Sequence, residues 1–214
     1  MKTKGMGIAL LSAAALLSGA AAQAGDLPWT YGEIGYSMAD GVDNFETTAG
    51  DLKLSVGFAG MWHASLGYTD GTSEQGSVGD IDFDGYRLIV GAHPQLTPDT
   101  QLVGDLTYFD YNDDRGDVDG YGFGLGVRHG VTDNFELLGE VWYLMGNNDD
   151  DFFGGADYND TTVELGGRYN WTSNLSTGLT ATINGSPGAS YSYSNGADAI
   201  RLDVRWSFPG DVSK

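Results

Sequence analysis

The chain has 214 residues with 34 Gly, no Cys, 19% charged residues and a formal net charge of −20. The absence of Cys excludes disulfides, thiolate metal sites and thiol nucleophiles, and so acidic a surface, with no basic patch interleaved with aromatics, repels nucleic acid. The composition is that of an all-β protein and lacks the Leu/Ala/Glu/Lys weighting of helical soluble domains.

Residues 1–24 have the three parts of a signal peptide: Lys2 and Lys4, an apolar run Met6–Leu17, and the cleavage pattern Ala22-Gln23-Ala24. The mature chain is expected to begin at Gly25. Nothing after it approaches the roughly 20 apolar residues that a spanning helix needs, so any membrane crossing falls to strands.

Ten candidate strands follow, each alternating apolar with small or charged residues. Thr30–Met38 sets Ile34, Tyr36 and Met38 against Tyr31, Glu33 and Ser37, and Leu52–Ala59 sets Leu52, Leu54, Val56 and Phe58 against Lys53, Ser55 and Gly57. Trp62–Thr69 and Phe83–Ala92 form the next pair, with Ala64, Leu66 and Tyr68, then Tyr86, Leu88 and Val90, on the apolar face. The stretch 101–129 is the most regular hairpin: Leu102, Leu106 and Tyr108 oppose Gln101, Asp105 and Thr107, then Tyr121, Phe123, Leu125 and Val127 oppose glycines and Arg128. Leu138–Tyr143 repeats the order of Val103–Tyr108, Thr162–Trp171 returns, and Leu175–Ile183 with Ala199–Phe208 completes the set.

Period-two alternation in segments of about ten residues is the mark of a closed up-and-down antiparallel transmembrane β-barrel. The expected architecture is all-β, with ten strands across residues 25–208 and a short tail, 209–214. The count falls to eight if Leu175–Ile183, whose apolar face is interrupted by Thr177, is not a strand. Long and short connections alternate, which places short turns and both termini in the periplasm. A secreted β-sandwich would show mixed charge on its polar face; here that face is dominated by glycine. Aromatics also gather at strand ends, Tyr36, Tyr68, Tyr86, Tyr108, Tyr121 and Tyr143 at one and Trp62, Tyr169, Trp171, Trp206 and Phe208 at the other.

The signal peptide, the alternating strands and the ending Trp206-Ser207-Phe208 make the mature chain resemble the small porin-like outer-membrane β-barrels of Gram-negative bacteria. The resemblance implies an outer-membrane location, lipid around the barrel, and recognition of Trp206 and Phe208 by the barrel assembly machinery. Members of that family usually end on the aromatic residue, whereas this chain continues through Pro209 to Lys214.

Alternation turns six basic residues inward (Lys53, Arg87, Arg128, Arg168, Arg201 and Arg205) and six acidic ones (Glu33, Asp105, Glu136, Glu140, Glu164 and Asp203), together with Phe109, Leu138, Trp142 and Leu144. Equal numbers of both signs favour an ion-paired, largely filled lumen over a selective filter. The expected role is therefore structural or surface-interacting and non-enzymatic; the alternative is a narrow cation-preferring channel. The connecting segments are acidic: Asp40, Asp43 and Glu46; Asp70, Glu74, Asp80 and Asp82; Asp110 to Asp119; Asp149, Asp150, Asp151 and Asp157. Oxygen ligands at Asp110, Asn112, Asp114, Asp117 and Asp119 suit a weak Ca²⁺ site, although Gly116 comes one position late for an EF-hand and the closing Glu is missing. No other cofactor is expected, and no surface ligand is named by the residues; Tyr191 and Tyr193 are possible contacts in loop 184–197. His63, His93 and His129 all map to the turn side, away from the acidic segments, so no His-assisted site forms at the outer rim.

Overall fold

The computed structural model describes residues 28–40, 45–75, 79–113, 116–148, 156–184 and 198–208. The signal peptide, the tail 209–214, Asp43, Asp114, Asp149, Asp150, Asp151, Tyr191 and Tyr193 lie outside these residues.

The strands are β1 (Tyr31–Asp40), β2 (Phe45–Phe58), β3 (Trp62–Gln75), β4 (Gly79–Ala92), a short β5 (Gln95–Thr97), β6 (Thr100–Asp113), β7 (Gly116–Thr132), β8 (Phe135–Asn148), β9 (Ala156–Asn170), β10 (Leu175–Asn184) and β11 (Asp198–Ser207). Neighbours pair antiparallel. β4 pairs directly with β6, leaving β5 as an appendage, and β1 pairs with β11 to close a ten-stranded ring. Leu175–Ile183 is a full member of it, and Thr177 on its outer face accepts the Trp171 indole N–H at 3.0 Å. That bond satisfies a hydroxyl placed where lipid is expected.

The apolar face points out: Ile34, Leu88, Leu106, Leu125, Leu165 and Leu202 are all exposed. Tyrosines form a belt towards the loop end, with Tyr108 and Tyr121 at 5.3 Å and Phe123 and Tyr143 at 5.5 Å between ring centroids. At the turn end, Tyr169 and Trp171 meet edge to face at 4.7 Å.

The strands run further at the loop end than the alternation predicts, because beyond the tyrosine belt the pattern inverts. Asp82, Asp84 and Asn112 point outward and are exposed, while Ile81, Phe83, Phe109 and Val118 point inward and are buried. A strand that leaves the membrane needs a water-compatible outer face and keeps its own apolar core, so polarity changes sides while the backbone continues. The acidic segments expected as loops are accordingly strand in large part: Glu46, Asp70, Glu74, Asp80, Asp82, Asp110, Asp113, Asp117, Asp119 and Asp157 all lie within β2 to β9.

Candidate functional site: the barrel interior

Inward parity on six strands brings a network together in the half of the interior nearest the turns. Glu33 on β1 is its hub, receiving Arg205 at 2.7 Å, Arg201 at 2.9 Å and Arg168 at 3.0 Å. Asp203 accepts Arg168 at 2.6 Å and Arg201 at 3.1 Å, and Asp51 accepts the Arg201 Nε–H at 2.8 Å. Arg128 meets Glu136 at 2.8 Å, and Glu136 reaches Arg168 at 3.5 Å. Glu33, Glu136, Arg168 and Asp203 are buried. Desolvation of such ions costs several kcal/mol each, on the order offset by this density of charge-assisted bonds. Glycines make room for it: a Cβ at Gly35 would strike the Arg201 guanidinium, and one at Gly178 would strike Asp203 and Arg168.

A second group of inward charges follows another arc. The Arg87 guanidinium lies 4.1 Å over the Trp142 ring and donates through Nε to Thr107 at 3.1 Å. Beneath it, Glu140 rests against Gly124, the residue directly opposite Asp105 in the β6–β7 ladder. Asp105 contacts His63 at 3.2 Å. Glu140 stands cross-strand from Glu164, and among the described residues neither these two nor Lys53 has an ion-pair partner. Lys53 instead points towards the Tyr31 ring, 5.9 Å from its centroid. The inward face of β7, Gly120 to Gly126, is occupied by its neighbours: added Cβ atoms there would strike Phe109, Leu144, Trp142 and Glu140.

At the turn end, Trp29 precedes β1 and turns into the mouth of the barrel. Its ring stacks on His63 at 4.1 Å and on His93 at 4.4 Å, with the Arg128 guanidinium 4.7 Å away. Its indole N–H donates to Gln101 at 2.9 Å. Burial, with His63 alongside, lowers the His93 imidazole to about 4.

A cavity of about 400 Å³ occupies the loop-end half. Lys53, Arg87, Glu164, Tyr111 and Trp142 line it, and Glu33 and Arg201 belong both to it and to the network below.

All twelve charged residues expected inside therefore point inward, but into two groups and not one lining. In the Asp110–Asp119 segment, the described residues are the ends of β6 and β7. Asp110 faces Asp119, and Asn112 faces Asp117, across straight strand ends, and Asp110 accepts the Tyr86 hydroxyl at 2.9 Å. Among the described residues no three His, Asp or Glu side chains converge as a metal site. Trp206 is exposed on the outer face, and Phe208 lies beside Gly32 with its backbone N–H bonded to Thr30 at 2.9 Å. His129 is exposed and hydrogen-bonded to Thr100, whereas His63 and His93 are drawn together inside. Sequence reasoning missed Trp29, Gln101, the paired histidines and Asp51; carrying the alternation of β2 one step past Leu52 finds Asp51, and nothing in the pattern signals Trp29.

Solved structures share this fold at low identity. The COG4313 outer membrane channel from Pseudomonas putida F1 has a TM-score of 0.53 at 12% identity, covering 87% of this chain and 98% of that one. The translocator domain of the autotransporter NalP from Neisseria meningitidis scores 0.53 at 14%, with 94% of each chain covered. The β domain of the Bordetella autotransporter BrkA scores 0.52 at 10%, covering 86% and 100%. No protein-family model and no curated protein matches the sequence. The chain has the fold of a small outer-membrane β-barrel.

Proposed function

We propose that the protein is a non-enzymatic barrel of the outer membrane whose lumen is held shut by ion pairs, with its turn end and both termini in the periplasm and its acidic strand ends outside. Its role is structural or surface-interacting, lipid surrounds the belt, and Trp206 and Phe208 present the assembly signal. The observation that carries this reading is the hub at Glu33, where three arginines from β9 and β11 meet within 3.0 Å across the barrel's interior. Acids and bases that neutralise one another in pairs leave no net field to draw one ion sign through that half. The cavity above the hub then serves as a cup at the loop end. The signal pattern at residues 1–24 and the outward apolar belt support export and insertion.

Planar-bilayer recording of the mature protein tests this reading. The expected result is little or no steady conductance, together with heat-modifiable gel mobility; a large, stable, cation-selective conductance from the unmodified protein overturns it in favour of an open channel.

A further inference from the structure

Buried polar atoms are nearly always hydrogen-bonded, so those that are not deserve an explanation. Among the described residues, Arg87 Nη2, Trp142 Nε1, Glu140 Oε1, His63 Nδ1 and Ser55 Oγ are buried without a protein partner. Four of them, on Arg87, Trp142, Glu140 and His63, are linked along the wall. Arg87 and Trp142 border the cavity, Glu140 lies next to Trp142 over Gly124, Asp105 faces Gly124 from β6, and Asp105 touches His63. The atoms on Arg87, Trp142, Glu140 and His63 thus follow one arc of the wall from the cup to the turn end, beside the arginine network, in which Arg168 Nε is likewise without a hydrogen-bond partner. Each needs a donor or acceptor that the protein does not supply, which is the requirement of a hydrated file.

We propose that this arc is a narrow hydrated route for small monovalent cations, closed at the turn end by the Trp29 side chain acting as a stopper. The route is carboxylate-lined, passing Glu164, Glu140 and Asp105. Of the cations beside it, Arg87 is committed to the Trp142 face and to Thr107, Arg128 at the Trp29 end is paired with Glu136, and Lys53 in the cup points towards the Tyr31 ring. Trp29 stands where the route would leave the barrel, stacked on His63 and His93, whose ring centroids are 5.6 Å apart. It precedes the β1 ladder, and its indole is held by ring stacking, the Arg128 contact and a single hydrogen bond to Gln101, so rotating it away breaks no strand pairing. This inference rests on the closed-lumen reading, because the route conducts only when the stopper is displaced.

The chain has no Cys, so Trp29→Cys introduces a unique thiol. In planar bilayers the variant is expected to gain resolved conductance steps whose reversal potential in a KCl gradient shows cation preference. Coupling a benzyl thiosulfonate reagent to the thiol should restore closure, and reduction should reopen the route. Glu140→Gln in the Trp29→Cys background should abolish the cation preference. A silent Trp29→Cys protein with normal heat-modifiable mobility, or openings without cation preference or indifferent to Glu140→Gln, overturns the proposal. Steady conductance in the wild type sinks the closed-lumen reading instead, and the stopper is still judged by whether Trp29→Cys adds to it. If Trp29→Cys does not fold, Gln101→Leu, which frees the indole N–H and keeps the ring stack, should flicker open; a Gln101→Leu barrel as silent as wild type overturns the stopper.

Discussion

Arg168 and Glu33 stand 135 residues apart in the chain and 3.0 Å apart in the barrel. The same guanidinium also holds Asp203 at 2.6 Å and reaches Glu136 at 3.5 Å, so one side chain links β9 to β1, β8 and β11. Removing it leaves buried carboxylates short of a cation. Arg168→Ala is therefore expected to destabilise the barrel by about 3–5 kcal/mol, the usual cost of breaking a buried pair from one side. Urea unfolding of vesicle-inserted protein checks this, and a loss below about 1 kcal/mol, typical of an exposed pair, would show the network to be solvated.

The glycines of β7 provide a second test. A Cβ at Gly124 would strike the Glu140 carboxyl and the Trp142 ring. Gly124→Leu should displace Trp142 from Arg87 and cost about 1–3 kcal/mol through overpacking, whereas Gly104→Leu, whose Cβ meets nothing within 4 Å, should be close to neutral. Equal unfolding midpoints for the two variants would remove the packing role assigned to the β7 face.

Much of this was legible from parity alone. Two-residue alternation identifies the inward set from Lys53 to Asp203, because a strand cannot turn one residue without turning its alternate neighbours. It does not give partners: that Glu33 meets Arg168 while Glu140 meets no cation depends on register and on which strands close the ring. Nor does it give strand length, since the pattern inverts at residues such as Asp82 and Phe83 once the wall stands in water. Glycine on the polar face invites the inference of space for long Arg and Glu chains. That holds at Gly35, at Gly178 and for Glu140 at Gly124, but on β7 the space is otherwise taken by Trp142, Leu144 and Phe109. Trp29 belongs to no periodic segment, so only its contacts reveal it.

The outward oxygen ligands Asp110, Asn112, Asp117 and Asp119 face one another in pairs across β6 and β7. The directly opposed like charges of Asp110 and Asp119, with Asn112 and Asp117 beyond them, attract divalent cations without fixing a coordination sphere. Calorimetry should accordingly show Ca²⁺ bound at about 10⁻⁴ to 10⁻³ M, the range of extracellular modules. A stoichiometric site tighter than about micromolar, in the range of dedicated sensors, would mean that Asp114 and its neighbours complete a real cage.

The histidine pair at the turn end makes stability depend on pH in a determined direction. His93 is buried against Trp29 at 4.4 Å and His63 at 5.6 Å, and its imidazole is lowered to about 4. In the unfolded chain the same group titrates near 6.5. Between those values the unfolded state binds a proton that the folded state refuses, so the contribution is fully present above about 6.5 and is lost as pH falls towards 4. Charging the ring would set it beside Arg128, which lies over the same indole. The unfolding midpoint of the wild type should therefore drop on going from pH 7.5 to pH 5 by more than that of His93→Phe, which keeps a stacking ring and cannot titrate. His63 contacts Asp105 at 3.2 Å and is retained in both proteins, as are the carboxylates of the network, so the difference between the two drops isolates His93. Equal drops would mean that the ring is hydrated in the folded barrel, and that Trp29 does not seal the turn end against water.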